Sequence, residues 1–453
     1  MVWIRDHPAC GPVPGTSLVR VTTDPAELLR PPGPELLDRL AAASRSAAGR
    51  SAAGTGAGPG AGAGSGLALA EALRREYPAD LVAAAMAQHD LRKAAAAKFS
   101  RAADMLFTRA GYEQASSEAV AAYRAGRLRG AARIADLCCG IGGDLIALAA
   151  KAEVLAVDRD AVHASLARHN AAVYGRAGRV TFLVSDVRDI PLAGLDAVFI
   201  DPARRSGPAT ASAGAARRFR AGDCEPPLTW CAELTAQVEA VCVKAAPGIG
   251  DEAVPRGWEA EFIAEGRDLK EAVLWSPALV TAPSGYPHGP RRATILPATK
   301  AGALAPAGAP GPGLSVTLTA RPGDPVAVTE PGEYLLDPNP AVTRAGLVED
   351  LARELGGAAK IDPQIAFLTL GHDIRTPFAR TLLVIESAPW NEKQFARRLR
   401  ELGIGAVDIR RRGLAGDVDQ IRRRLKLAGP GRATVVITRV SNKPWGLICT
   451  DPA

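Results

Sequence analysis

Between residues 131 and 300, short apolar runs alternate with longer stretches of helical periodicity, and this alternation predicts a parallel sheet flanked by helices. Ile134–Leu137, Val154–Val157, Val180–Val184, Ala197–Ile200 and Ala240–Lys244 read as strands. Leu145–Lys151, Ala161–Tyr174 and Pro227–Val238 read as the helices between them. Trp258–Ala264, Glu271–Trp275 and Ala293–Leu296 extend the series, with a Pro- and Gly-rich loop over Pro277–Pro290. The expected core is a doubly wound α/β sheet of about seven strands.

The flanks follow other patterns. Thr22–Leu40 has helical spacing, with Thr23 or Asp24 as its cap, and residues 41–66 are then almost wholly Ala, Gly and Ser, which reads as a linker. Helical periodicity returns in Ala70–Tyr77, Ala79–Phe99 and Ser116–Arg127, so residues 1–130 form a helical N-terminal region before the first strand. Ser116 and Ser117 offer a loose N-cap to the last of these helices. A second Ala-, Gly- and Pro-rich stretch spans 301–312. Beyond it, over 313–453, mixed strand and helix patterns predict a small α+β region. Its strands are Leu314–Thr319, Glu333–Leu336, Ala366–Leu370, Arg380–Ile385, Ala406–Arg411, Ala433–Val440 and Gly446–Thr450, and its helices Pro340–Leu355, Glu392–Leu402 and Asp417–Leu427.

Composition narrows the classes. A chain of 453 residues exceeds one ordinary hydrophobic core, so two or three domains are expected. It has no run of about 18 apolar residues, and charges and prolines interrupt the first 24 positions, so the expectation is a cytoplasmic protein without a membrane helix or signal peptide. The seven cysteines form no Cys-x-x-Cys pair, which argues for free thiols and against a metal site. The formal charge of +7 gives weak support for a polyanionic partner.

The chemistry is concentrated at strand ends. Asp136-Leu-Cys-Cys-Gly140-Ile-Gly142-Gly143-Asp144 joins a strand to a helix through a glycine turn, the corner at which open α/β sheets bind nucleosides. Asp158 closes the second strand 18 residues beyond Gly140, near the spacing at which an acid meets ribose hydroxyls. Leu145 stands where a dinucleotide fingerprint has its third glycine, which disfavours NAD. Asp186 follows the third strand, placed to accept from an adenine amino group, and the fourth ends in Asp201-Pro202-Ala203-Arg204-Arg205. Each acid alone also reads as a solvated loop residue, and the two arginines as a surface pair or as a phosphate grip. Cys138 and Cys139 read as packing groups, and His163 and His169 as surface or packing residues.

These four sites resemble the class I S-adenosylmethionine-dependent methyltransferases over about residues 114–297, matching that family's glycine-rich first motif, ribose acid, adenine acid and fourth-strand Asp-Pro. Asp136–Asp144 and Arg168–Gly175 are similar to the trimethylguanosine-synthase-like branch, which methylates exocyclic amines of guanosine in RNA, although Pro202-Ala203-Arg204 stands where that branch has Pro-Pro-Trp. Asp-Pro-x-Arg is also similar to the RNA 5-methyluridine enzymes, but Cys224, Cys231 and Cys242 lack the setting of their nucleophile. Gln114–Glu118, Asp201–Arg204 and Asp408–Gly413 with Arg424–Leu427 resemble bacterial methyltransferases that carry a THUMP-like C-terminal domain.

The resemblance implies a Rossmann-like methyltransferase sheet over 131–300 and a THUMP-like RNA-binding module at about 380–453. It implies S-adenosyl-L-methionine as cofactor, held by Asp136, Gly140, Gly142, Gly143, Asp158 and Asp186. It further implies RNA as the partner, with Asp201, Pro202 and Arg204 on the acceptor side. For an exocyclic amine, Asp201 and the Pro202 carbonyl would each accept one N–H and so aim the nitrogen lone pair. The arginines between Arg397 and Arg432 form a basic zone suited to phosphates, or simply solvated helix faces. Two further readings remain open: a non-catalytic RNA-binding protein that retains the pocket, and a methyltransferase of small molecules or proteins.

Overall fold

The computed structural model describes residues 24–53, 61–204, 224–283, 289–298, 314–320 and 323–452. Arg205 and the 301–312 stretch lie outside them. The chain divides into two compact units, Met1–Lys93 and Ala94–Ala453. In the first, Asp24 caps a 3-10 turn over Pro25–Leu29 by accepting the Ala26 N–H at 2.8 Å. Helices Gly33–Ala53 and Ala61–Leu73 then cover most of the stretch expected to be a linker. Alanine enters a helix with no side-chain entropy to lose, so low apolar bulk does not prevent helical backbone. The Tyr77 hydroxyl donates to Glu35 at 2.9 Å and accepts from Arg39 at 3.1 Å, tying the first helix to the segment that follows the second.

The second unit is built on a nine-stranded sheet. Its strands are β1 (Arg133–Leu137), β2 (Glu153–Asp158), β3 (Val180–Val184), β4 (Ala197–Ile200), β5 (Ala240–Ala245), β6 (Glu259–Glu265), β7 (Asp268–Trp275), β8 (Arg291–Leu296) and β9 (Val316–Thr319). Their order is β9-β8-β6-β7-β5-β4-β1-β2-β3. Strand β1 pairs in parallel with both β2 and β4, so the chain reverses its direction of travel across the sheet beside β1. All four residues of β4 are buried, as expected of a strand covered on both faces, and this is why its sequence is a continuous apolar run. Strand β7 is antiparallel to both β5 and β6. The ninth strand corrects an expectation: Val316–Thr319 belongs to this sheet, antiparallel to β8, and not to the C-terminal region. A four-residue run carries no record of its partner.

A second sheet of seven strands follows, in the order 359–360, 368–370, 334–338, 379–389, 443–450, 431–440, 404–411. The single helix expected over 340–355 is two, Pro340–Ala345 and Val348–Leu355, parted at Gly346 with φ of 74°. Ala341, Val342, Ala345, Leu347 and Leu351 share one apolar core with Phe262 and Ala264 of β6, Ala293 and Ile295 of β8, and Leu318 of β9. The start of the second sheet's segment is thereby fused to the first sheet. Farther along, Phe395, Leu399, Ile421 and Leu425 from helices Glu392–Glu401 and Val418–Leu425 pack on Ile409, Val435, Ile437 and Ile448. Among the described residues no helix is long and apolar enough to cross a membrane.

Candidate functional site

A cleft of about 1000 Å³ opens at the carboxyl ends of β1, β2, β4 and β5. This is the topological switch point at which open α/β sheets place ligands. The glycine turn forms its floor. Gly140 and Gly142 have φ of 54° and 85°, and Cys138, between strand and turn, has φ of 64°, a conformation that few residues other than glycine adopt. A side chain at Gly142 would place its Cβ 3.2 Å from the Ala167 Cα, so the turn also needs glycine for space. The turn is held from behind by Asn170, fully buried, whose amide donates to the Ile141 carbonyl at 2.9 Å and the Leu106 carbonyl at 3.0 Å and accepts the Leu106 N–H at 2.9 Å.

The structure brings Asp136, Gly140, Gly143, Asp158, Asp186, Asp201 and Pro202 to the wall of this one cleft, with Gly142 inside its turn. Asp158 is fixed by backbone amides: its two oxygens accept from Gly140 at 2.8 Å and from Asp160 at 2.9 Å. One oxygen of Asp186 accepts the Arg188 N–H at 2.9 Å and its Nε–H at 3.0 Å, and the backbone bond in particular holds this carboxyl below the usual range. Asp136 is different. It is 0% exposed, and neither of its oxygens has a hydrogen-bond partner. Burial, followed by the nearby charges of Asp144, Asp201 and Asp158, raises its carboxyl well above the ordinary range.

The neighbouring acids are compensated. Arg124, buried, is ion-paired with both Asp144 and Glu271 and donates to Ser116 Oγ at 2.9 Å. Ser117 caps the helix Glu118–Arg127 that carries Arg124 and also donates to Glu265 at 3.0 Å. Asp201 accepts from the Lys244 ammonium at 2.6 Å, across the β4–β5 register that sets Ile200 beside Val243. Lys98 closes the other rim by donating to the carbonyls of Tyr112 at 2.7 Å and Ala115 at 3.0 Å. Burial, and then Lys244 and Lys270, lowers the Lys98 pKa.

Sequence patterns do not single out Lys244, Arg124, Asn170 or Lys98. For Asn170 a signal is present: an amide at helical spacing among Ala164, Leu166, Ala167 and Ala171, on an otherwise apolar helix face. Of the acceptor-side residues expected from sequence, Arg204 is described only by its strand pairing, opposite Cys224. Cys224 and Cys231 are buried, burial pushes the Cys231 thiol up to about 12, and neither is poised as a nucleophile.

Comparison with known proteins decides the family. An uncharacterized S-adenosylmethionine-dependent methyltransferase of Mycobacterium tuberculosis (strain CDC 1551) is 35% identical over 342 residues, a match covering 74% of this chain and 85% of that protein. The chain belongs to the S-adenosylmethionine-dependent methyltransferases. The same identity and coverage hold for the counterpart in strain H37Rv. A crystal structure of a candidate methyltransferase from Porphyromonas gingivalis W83 superposes with a TM-score of 0.66 at 21% identity, covering 83% of this chain and 92% of that one, which confirms the fold. Family models match at three places: RNA cap guanine-N2 methyltransferase over residues 131–243, THUMP domain-like over 379–451, and a domain of unknown function over 45–95. The methyltransferase thus has a Rossmann-like sheet, a THUMP-like C-terminal domain and S-adenosylmethionine as its cofactor.

Most arginines of the THUMP-like domain have partners within it. Arg398 pairs with Glu386 at 2.9 Å, Arg410 with Asp408 at 2.9 Å, Arg422 with Asp419 at 2.8 Å and Arg424 with Glu392 at 2.8 Å. Such exposed pairs contribute little each, so they leave the guanidiniums available to a competing anion. Trp390 and Phe395 are in tilted contact, with ring centroids 4.9 Å apart, and Phe395 belongs to the module's core.

Proposed function

We propose that the cleft holds S-adenosylmethionine across the ends of β1, β2 and β3 and that the acceptor is a base of RNA presented at Asp201-Pro202. One observation carries the cofactor placement. Asp136 is a buried carboxyl group without a hydrogen-bond partner, on the wall of a cleft whose other acids are bonded or ion-paired. An uncompensated buried charge is costly, and a cationic donor such as the amino-acid ammonium of the cofactor is the group that satisfies it. Asp158, oriented by two amides, keeps lone pairs for the ribose hydroxyls. Asp186 stands at the end of β3 for the adenine amino group, and Gly140, Gly142 and Gly143 keep the floor free of side chains.

When bound, the cofactor supplies an electrophilic methyl group on sulfur, so the protein's task is to position a nucleophile and take up its proton. Lys244 holds one oxygen of Asp201. The other oxygen accepts one N–H of an exocyclic amine while the Pro202 carbonyl accepts the second, and the proton shed on methylation leaves through Asp201 to solvent. Arg204 is assigned to a phosphate beside the reacting base. RNA is favoured over other acceptors by the cap guanine-N2 match over the sheet and the THUMP-like match after it. In this reading residues 131–300 do the chemistry, 380–453 hold the RNA, and 1–130 form a helical region ahead of both.

Calorimetry with S-adenosylmethionine tests the cofactor placement: wild-type protein should bind and Asp158→Ala should bind at least about tenfold more weakly. Tritium transfer to total RNA from a strain lacking the protein, followed by nucleoside mass spectrometry, tests the acceptor. Label in RNA that depends on Asp201 is the expected result. Cofactor binding without labelled RNA would remove RNA as the substrate.

A further inference from the structure

The turn between β6 and β7 faces two ways. Glu265, Asp268 and Lys270 line the cleft, while Arg267 between them points to the second sheet, donating to the buried Asp337 at 2.7 Å through one nitrogen and to its backbone carbonyl at 3.1 Å through the other. Asp337 takes a second guanidinium from Arg412 at 2.8 Å. Its cross-strand neighbour is Arg380. Arg380 meets Asp451 at 2.7 Å and Asp408 at 3.8 Å, and Asp408 in turn takes Arg410 at 2.9 Å. Four arginines from two sheets thus share three aspartates. Two of those, Asp408 and Asp451, have exposed side chains of 47% and 71%, so solvent can replace them.

Building on the RNA reading above, we propose that Arg267, Arg380, Arg410 and Arg412 form a backbone-phosphate site for the RNA strand whose base enters the cleft. The charge count favours an anion, since four cations face three acids. The arginines also disfavour one another's charge: burial and then the Arg410, Arg380 and Arg412 charges outweigh Asp337 at Arg267, whose pKa is lowered, and Arg412 is lowered by burial and Arg410. An added phosphate would relieve that repulsion. Planar guanidiniums suit it, because each has five donors and binds oxygens in pairs. Asp337 fixes Arg267 and Arg412 at the base, Arg380 is held by the exposed Asp451 and Asp408, and Arg410 is the most open of the four to solvent. The position is apt as well, because Arg267 lies in the turn between the cleft residues Glu265, at the end of β6, and Asp268, at the start of β7, so a phosphate bound there is next to the cleft lip.

The test uses the full chain and a short fluorescent single-stranded RNA, with polarisation read from about 50 to 200 mM salt. Removing one arginine that neutralises a phosphate of a single strand should reduce the salt slope by about 0.7. R380Q/R410Q should weaken binding about tenfold at the low end and flatten the slope by about 1.4, with R410Q alone giving about half that change. Thermal melting and calorimetric cofactor binding equal to wild type show that the variants are folded. Wild-type RNA binding that both variants retain, with slopes unchanged, would overturn the site and leave the RNA reading standing. No RNA binding by the wild type would overturn both.

Discussion

Asp136→Asn separates a binding role from a structural one by the sign of two effects. In the free protein the side chain is a buried carboxyl group with no hydrogen-bond partner and three carboxylates nearby, all of which disfavour its charged form. The amide has the same shape and no charge, so the free variant should melt no lower than wild type, against the usual loss for a buried polar substitution. Cofactor binding should move the other way. Truncating one partner of a buried, hydrogen-bonded charge pair costs about 2–5 kcal/mol. At about 1.4 kcal/mol per decade, the dissociation constant should rise by about 30-fold or more.

The pH dependence carries a sign too. Because the folded-state pKa of Asp136 is raised, the folded protein holds this proton more tightly than the unfolded chain does. The group's favourable contribution is complete below about pH 4 and is lost as pH rises through the folded value. The melting difference between Asp136→Asn and wild type should therefore grow towards neutral pH, and wild-type cofactor binding should release protons, seen as a dependence of the calorimetric heat on buffer ionisation enthalpy. A variant that melts lower when free yet binds the cofactor as tightly as wild type would refute the reasoning.

Other consequences follow from the same geometry. Arg124→Met leaves Asp144 and Glu271 without their cation, and breaking such a buried pair should cost about 3–5 kcal/mol, measurable by urea denaturation as a lower midpoint. Gly142→Ala forces a side chain into a left-handed backbone against Ala167, at about 1–2 kcal/mol for the backbone alone, and calorimetry should show weaker cofactor binding. Cys138 lines the cleft, but burial and then the Asp158 and Asp201 charges keep its thiol protonated, so peptide mapping after iodoacetamide at pH 8 should find it unmodified.

The five parallel strands and the acids at their ends are legible in the chain because a buried parallel strand is an unbroken apolar run and its next residue marks the cleft. Asp158 and Asp201 are found that way, at the end of β2 and directly after β4, whereas Asp136 lies inside β1 and Asp186 two residues beyond the less buried β3, and both are marked by the motif around them. What escapes depends on pairing between distant segments. Nothing around Lys244 distinguishes it from a strand-end lysine until β4 and β5 are set in register and bring it to Asp201. Arg124 is an arginine on a helix read from its periodicity alone, which does not show that it is one of the most buried side chains, received by two acids from elsewhere. Val316–Thr319 reads as part of the wrong sheet for the same reason. Alanine-rich sequence misleads in the opposite direction, since helix formation in the first unit needs little bulk.

The common core beneath helices Pro340–Ala345 and Val348–Leu355, with Asp337 bridged to Arg267 and Asn339 donating to the Gly266 carbonyl at 2.8 Å, removes the hinge that a tethered module would have. Rigid attachment changes what the C-terminal sheet can contribute. A module on a loose tether raises local concentration and accepts any target within reach, whereas one locked to the catalytic sheet sets a fixed span between the point of grip and the point of reaction. In the RNA reading proposed above, the protein would choose among nucleotides by their distance from an anchored phosphate, as a ruler does.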